Sequence, residues 1–171
     1  MATLDEVFRR SHLTVATTGE VSKSVCTPMR MPYYTPAELR GMIADIDGRV
    51  SIIFGRENRG LENAEVRRCD LICNIPASPD YPILNLSHVV GIVCYELAHL
   101  PRGSYQLASR EDMECLYRHI DHFLDLIGHQ DFKRENTMIL LRRLVSRTKL
   151  TSREVSTLHG LMRRTAWRIK K

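Results

Sequence analysis

The sequence contains no apolar run long enough to span a bilayer, and its first ten residues, MATLDEVFRR, lack the apolar core of a signal peptide. Internal repeats and low-complexity tracts are also missing. The 171 residues, of which 43% are hydrophobic and 26% charged, are enough for one globular domain and a small appendage. These features predict an intracellular, cytoplasmic protein without membrane contact.

Paired cysteines are missing too. The five cysteines are an odd number at irregular spacings and include no CxxC pair, which disfavours a disulfide framework and a zinc site. His119 and His122 have the spacing of a metal-binding pair on a helix, but the sequence shows no third ligand for them. We therefore predict that the protein binds no metal.

Acidic residues are scarce at the C-terminal end. Residues 133–171 contain twelve Lys or Arg and only two Glu, so this segment carries ten net positive charges. Because the whole chain carries +5, residues 1–132 carry about five net negative charges. A basic segment of this kind indicates an anionic partner, nucleic acid first, although a solvated helix surface has the same composition.

Strand and helix patterns alternate over the first hundred residues, which predicts an α/β fold with a parallel sheet. The predicted strands are residues 12–17, 49–54 and 70–75, and the predicted helices are residues 3–10, 35–45, 61–67 and 85–100. After a linker at residues 101–109, apolar residues at helical spacing predict three more helices, at residues 110–128, 135–147 and 151–169. We therefore predict an α/β domain at residues 1–100 and a small α-helical domain at residues 110–171.

Three loops each follow a predicted strand, at the position where α/β folds bind their ligands. They begin at Thr17, Gly55 and Ile75. Each loop taken alone also has a purely structural interpretation. Glycine commonly turns a strand into a helix, Glu57 suits the first turn of a helix, and Asn85 suits a helix N-cap.

Taken together, the loops resemble one family. The motif FGxExxGL follows the second strand, and IPxxxxxxxLNLSxxVxIxxYE follows about twenty residues later. This pair resembles the second and third motifs of the SpoU branch of SPOUT methyltransferases, in particular the TrmJ-type tRNA 2′-O-methyltransferases. The resemblance extends without gaps from Thr3 through Ala98, and more loosely through the tail sequence LLRRLVSRTKLTSREVSTLHGLMRR.

The resemblance implies a deep trefoil knot that holds S-adenosylmethionine, and transfer of its methyl group to a ribose 2′-hydroxyl of RNA. Glu57 and Asn85 match catalytic positions that shape the floor of the active site. By position, the cofactor-binding residues would be Thr17, Thr18, Gly19, Gly55, Ile75, Pro82, Ile83 and Leu84.

The sequence departs from the family pattern at two points. Pro82 and Ile83 stand where many relatives have serines, so hydroxyl contacts are lost there. The family's first motif, NxGxxxR, which supplies an arginine that helps to deprotonate the ribose hydroxyl, does not occur in the sequence. The resemblance thus implies an N-terminally incomplete knot domain, and we expect little methyl transfer from this chain alone. A non-catalytic RNA-binding protein, or a nucleotide-binding α/β domain of another kind, remains an alternative.

The resemblance further implies tRNA, or another structured RNA, as the partner, with the pyrimidine at conventional anticodon-loop position 32 as the usual target. It also implies a homodimer formed through the helix at residues 85–100. The apolar stripe of that helix fits a dimer interface, but a core helix would have the same stripe; it consists of Leu86, Val89, Val90, Val93 and Leu97.

Arginines recur at helical spacing in the basic tail, where they are expected to contact RNA phosphates. They are Arg142, Arg143, Arg147, Arg163, Arg164 and Arg168. The linker at residues 101–109 is expected to let the first domain fold without the tail.

Overall fold

The computed structural model describes residues 3–21, 28–78 and 83–169. Its elements in chain order are α1 (Leu4–Arg10), β1 (Leu13–Thr17), a 3-10 turn (Pro28–Arg30), α2 (Pro36–Ile43), β2 (Val50–Ile53), α3 (Asn63–Arg68), β3 (Leu71–Cys73), α4 (Leu86–Leu97), α5 (Arg110–Leu126), α6 (Asp131–Arg147) and α7 (Ser152–Ile169). Among the described residues, none of the helices combines the length and apolar character that crossing a bilayer would need.

The three strands form a parallel sheet in the order β2-β1-β3. This confirms the predicted α/β class with a parallel sheet, followed by a helical C-terminal region. Capping boxes begin two of the helices, α1 and α2. The Thr3 hydroxyl accepts from the Glu6 amide, and the Thr35 hydroxyl does the same for Glu38 at the start of α2. These bonds satisfy amide groups that a helix N-terminus otherwise leaves unpaired.

Apolar side chains cover both faces of the sheet, since successive residues of a strand point to opposite sides. One layer contains Phe8, Ala16, Ile53, Leu61, Val66, Cys69 and Ile72. The other contains Leu13, Val15, Leu39, Ile43, Ile46, Leu71 and Cys73. A third apolar cluster, around Ala108, Leu116 and Val155, joins α5 to α7.

The segment at residues 101–109 is fastened to the α/β part. The Ser104 and Tyr105 amides donate to the Asp45 carbonyl at 3.1 and 2.9 Å, and the Asp47 amide donates to the Tyr105 carbonyl at 2.8 Å. A Cβ on Gly103 would lie 2.3 Å from the Ile46 carbonyl oxygen, so only glycine permits this approach. The segment is a packed connection, which is not what the sequence led us to expect of a linker.

Candidate functional site

The three post-strand loops meet at the C-terminal edge of the sheet. They surround a cavity of about 280 Å³, together with the start of α4. The carboxyl ends of parallel strands share one edge, which is why loops far apart in sequence converge there. The cavity is lined by seven predicted cofactor residues, Thr17, Thr18, Gly19, Gly55, Ile75, Ile83 and Leu84. Pro82, the eighth, lies outside the described residues.

Thr18 is the centre of a polar wall of the cavity. Its hydroxyl donates to the Glu20 carbonyl at 2.6 Å and accepts from the Arg30 guanidinium at 3.0 Å. The Thr18 carbonyl accepts from the Asn74 side-chain amide at 2.8 Å, and its amide donates to the Cys73 carbonyl at 3.0 Å. These bonds fix the loop after β1 and hold the Arg30 guanidinium at the cavity.

The loop after β2 forms a tight turn. The amide and carbonyl groups of Arg56 and Gly60 bond to each other at 3.0 and 2.8 Å, and Gly60 has a φ of +62°. A Cβ on Gly55 would lie 2.4 Å from the Gly60 carbonyl carbon and 2.6 Å from the Leu61 nitrogen. The Gly55 position therefore excludes a side chain because its own loop folds back over it.

The guanidinium of Arg56 is already engaged by a carboxylate. It donates two hydrogen bonds of 3.0 Å to Glu65, and hydrogen bonding by Arg56 lowers the pKa of Glu65 despite some burial. Glu57 and Arg59 of the same loop are exposed and line the cavity. Arg56 is exposed at the cavity as well, but unlike Glu57 and Arg59 it is paired with Glu65.

The wall opposite the turn is apolar. Cys73, Ile75, Leu84, Leu86 and Val89 line it. Burial raises the pKa of the Cys73 thiol to about 11, so this group is a neutral thiol at physiological pH and not a nucleophile. The cavity thus combines a polar wall with an apolar one, as expected for a ligand with both kinds of surface.

Asn85 occupies the N-cap of α4, but its side chain makes no capping hydrogen bond and is exposed. It follows Leu84, which lines the cavity, yet does not itself line it. The structure thus brings Glu57 to the cavity and leaves Asn85 beside it. The catalytic assignment of both residues stays a prediction.

Sequence reasoning missed two polar residues of the polar wall. Arg30 ends the 3-10 turn, and Asn74 follows β3 and is buried. The position of Asn74 directly after a strand is the signal that would have found it. Arg30 belongs to no motif, and its contacts with Thr18 and with Asn63 depend on the tertiary fold.

The prediction that Arg143 contacts RNA is wrong. Its side chain is only 2% exposed and donates to the backbone carbonyls of Val66, at 2.7 Å, and Cys69. Burial lowers the pKa of Arg143 to about 10, so it remains charged at physiological pH. The Arg143 guanidinium thus caps the end of α3, where the Val66 carbonyl also accepts from the Cys69 amide at 3.2 Å.

Arg142 is likewise unavailable as a phosphate contact. It donates to both carboxylate oxygens of Glu114, at 2.9 and 3.0 Å, and lies over the Tyr117 ring. Asp70 lies 3.6 Å from the same guanidinium and accepts from Arg110 at 2.6 Å. These charges form a network between β3, α5 and α6. Arg142, which the sequence predicted to contact RNA, thus connects the helical tail to the α/β part.

The other predicted RNA contacts are exposed. Arg147 ends α6, with its Nε donating to the Arg143 carbonyl at 3.1 Å. Arg163, Arg164 and Arg168 lie on α7 with exposed side chains. Of the six predicted arginines, the exposed ones therefore lie mainly on α7, and α6 contributes only Arg147.

The apolar stripe of α4 faces inward. Leu86 and Val89 line the cavity, Val93 is buried, and Leu97 packs on the sheet. A different face of α4 carries exposed apolar side chains, with Ile92 37% and Tyr95 80% exposed. The stripe that the sequence offered for a dimer interface serves the protein's own core instead.

Residues 3–95 match the family described as SpoU rRNA Methylase. The chain is 35% identical over 163 residues to a tRNA (cytidine-2′-O-)-methyltransferase, TrmJ, of Methanocaldococcus jannaschii, which covers 91% of this chain and 70% of the relative. It is 31% identical over 173 residues to a tRNA (cytidine/uridine-2′-O-)-methyltransferase, TrmJ, of Yersinia pestis, covering 94% and 66%. The chain therefore spans about two thirds of the length of these relatives.

The crystal structure of TrmJ from Z. mobilis is similar to this structure, with a TM-score of 0.72 and 28% sequence identity. The similarity covers 96% of this chain and 72% of that one, so it includes the α/β part and the helical tail.

Proposed function

This chain belongs to the SpoU rRNA Methylase family, a family of RNA methyltransferases, and from that membership we propose that it methylates a ribose 2′-hydroxyl of tRNA with S-adenosylmethionine as donor. The names of the relatives, which are tRNA 2′-O-methyltransferases, support tRNA as the substrate. Within tRNA we propose the pyrimidine at conventional position 32. We further propose that the reaction takes place in the cytoplasm.

The observation that carries the proposal is the single cavity lined by Thr17–Gly19, Gly55 and Ile75. The size and lining of this cavity support S-adenosylmethionine as its ligand. Its volume of about 280 Å³ is close to the lower end of ligand pockets, roughly 300–1,000 Å³. Its apolar wall suits an adenine ring, and the fixed loop after β1 offers backbone groups to the polar ends of the ligand. The trefoil knot is part of the same proposal.

When bound, S-adenosylmethionine supplies an electrophilic methyl group. The chain's own residues then have two tasks, which are to orient the ribose oxygen and to accept its proton. Positioning of two reactants supplies much of the rate of such a transfer. Glu57 presents an exposed carboxylate at the cavity mouth, and we propose that it and Asn85 border the bound ribose. Arg59 supplies a positive charge at the same opening.

We propose that the tRNA lies against α7. Exposed arginines on one helix attract a phosphate backbone without reading its sequence. The proposed contacts on α7 are Arg163, Arg164 and Arg168. The set is smaller than the one predicted from the sequence, because Arg142 and Arg143 make contacts within the protein.

We also propose that two copies pair through the exposed face of α4, around Ile92 and Tyr95. Ile92 and Tyr95 lie on one face of α4, and adjoining exposed apolar side chains of this kind can form part of a protein interface. Tyr95→Arg should convert the dimer to a monomer in size-exclusion chromatography with light scattering. Leu161→Arg, at an exposed apolar position of α7, is the matched control and should stay dimeric. A wild-type protein that is already monomeric would contradict the proposal.

The test of the function is methyl transfer by the full chain. Labelled S-adenosylmethionine is incubated with tRNA, and with the same tRNA carrying a 2′-deoxy nucleotide at position 32. Label in the first RNA and none in the second would support both the reaction and its position. Because the sequence lacks the NxGxxxR motif, we expect this transfer to be weak, and tRNA binding with no detectable transfer would favour a non-catalytic RNA-binding protein. Preference for ATP over S-adenosylmethionine in calorimetry would favour another kind of nucleotide-binding domain.

A further inference from the structure

Two histidines and a cysteine meet on the surface of the helical tail, away from the cavity. Cys115 and His119 lie one turn apart on α5, and His159 lies on α7. The Nδ1 atoms of the two histidines are 2.6 Å apart, and the three potential ligand atoms all lie within 4.8 Å of one another. His119 is exposed, whereas Cys115 and His159 are half-buried.

The helix packing brings these side chains together. Leu116, Ile120, Val155, Leu158 and Met162 form the apolar contact between α5 and α7. Cys115 and His119 flank that contact on α5, and His159 lies between Leu158 and Met162 in sequence. The three groups are therefore held at the edge of a packed interface, where small side-chain rotations suffice to change their separation.

We propose that Cys115, His119 and His159 bind one transition-metal ion of the Zn²⁺ type. A thiolate and two imidazoles are ligands that zinc prefers, and three protein ligands leave the fourth position of a tetrahedral site for water. Zinc bonds of about 2.0–2.3 Å imply ligand atoms roughly 3.3–3.6 Å apart. To bind the ion, the Nδ1–Nδ1 distance must increase by less than ~1 Å. The distance from the Cys115 Sγ to the imidazole nitrogens must decrease by about the same amount.

Basic groups surround His119. Burial, then the charges of His159, His122, Arg118 and Arg163, lowers the pKa of His119. The same basic groups repel a free cation, so the negative thiolate of Cys115 is the ligand on which affinity depends.

The sequence led us to expect no metal, because His119 and His122 had no third ligand. Our proposal replaces that expectation and uses a different set of residues. Among the described residues, the cluster pairs His119 with Cys115, four residues earlier, and takes its third ligand from another helix. Bound metal would cross-link α5 to α7. Since α7 carries Arg163, Arg164 and Arg168, the ion would fix the orientation of that basic face.

Cobalt(II) titration of the reduced full chain tests the site, since this ion reports thiolate ligation by a charge-transfer band in the near ultraviolet. We expect one Co²⁺ per chain, displaced by Zn²⁺. Cys115→Ser should abolish the band, and His159→Gln should weaken affinity by more than the roughly 10–100-fold that loss of a supporting partner costs. His122→Gln and Cys94→Ser are the controls, and both should bind as the wild type does.

Thermal unfolding gives a second readout. Excess Zn²⁺ should raise the midpoint of the wild type and both controls, because a ligand that binds only the folded state stabilises it. The midpoint of Cys115→Ser should not move, while its metal-free midpoint should match that of the wild type. A wild type that gives no thiolate band, or a band that survives in Cys115→Ser, would overturn the proposal.

Discussion

Gly55 shows how a single residue can shape the cavity through its own backbone. It lines the cavity, but a side chain at this position would first meet the loop that follows it. A Cβ would lie 2.4–2.6 Å from backbone atoms of Gly60 and Leu61. Backbone cannot rotate away as a flexible side chain does, so the whole turn between Arg56 and Gly60 would have to open.

Gly55→Ala should therefore weaken S-adenosylmethionine binding by displacing the 55–61 loop. We expect a loss of at least about tenfold, equivalent to ~1.4 kcal/mol, in calorimetry. Gly41→Ala on α2 is the control, because a Cβ there meets no atom within 4 Å. Wild-type affinity in Gly55→Ala would show that the cavity does not depend on this turn.

Arg143 is the other residue whose role depends on its surroundings. Arg143→Ala should lower the free energy of unfolding by about 2–5 kcal/mol, since it leaves a cavity and removes the guanidinium donors to the Val66 and Cys69 carbonyls. Urea unfolding measures this loss. Arg163→Ala, at an exposed position, should change stability by less than about 0.5 kcal/mol. Equal effects of the two variants would contradict the structure.

At the scale of elements, the strands, helices and post-strand loops could be predicted because they depend on local patterns. Alternation of strands and helices indicates a parallel sheet, and its shared edge brings Thr17, Gly55 and Ile75 together. The burial of Arg143 could not be predicted in this way. α6 has an apolar run, MILL, that covers several faces of the helix, so its sequence does not show which arginine points inward. The carbonyl that Arg143 bonds lies 77 residues earlier in the chain.

The α7 helix carries the prediction for RNA binding. A variant with Arg163, Arg164 and Arg168 changed to Gln should bind tRNA more weakly, with a salt dependence reduced by up to about three in slope. Filter binding across salt concentrations measures both quantities. Changing Arg9, Arg10 and Arg40, three arginines of α1 and α2, to Gln is the control with the same charge loss. Equal losses in both variants would indicate general electrostatics rather than a binding face.

At the scale of the whole molecule, the ion network around Asp70 joins the tail to the sheet. Burial raises the pKa of Glu114, but hydrogen bonds and charges from Arg142 and Arg110 outweigh it and leave that pKa below its ordinary value of 4.5. A lowered carboxyl pKa stabilises the folded state above the unfolded value, and this stabilisation is lost as the pH falls through the folded value.

Acid should therefore weaken the connection between the two parts. We expect the urea midpoint of the wild type to fall as the pH drops below about 4.5, and to fall less in Glu114→Gln. The difference should be modest because the Glu114 side chain is 42% exposed. Glu111→Gln, at an exposed position of the same helix, is the control and should follow the wild type.

Further contacts between the two parts lead us to expect that the α/β part is not stable without residues 110–171. Lys149 pairs with Asp45 at 2.7 Å, and the Ala108 amide donates to the Leu150 carbonyl at 2.7 Å. Removing residues 110–171 would leave Asp70 without Arg110 and Ser146. We expect residues 1–109 alone to melt well below the full chain in circular dichroism. Equal melting temperatures would show that the domains are independent.

The position of Asp70 at the start of β3, opposite the cavity, has a consequence for how such proteins can be recombined. A tail taken from a relative would have to supply the groups that contact Asp70 here, which are Arg110, Arg142 and Ser146. Replacing the tail alone would leave the buried Asp70 carboxylate without its partners. Both the tail and the residues around Asp70 would have to be exchanged together. If the tail binds RNA as proposed, a tail from a relative would function here only together with matching changes around Asp70.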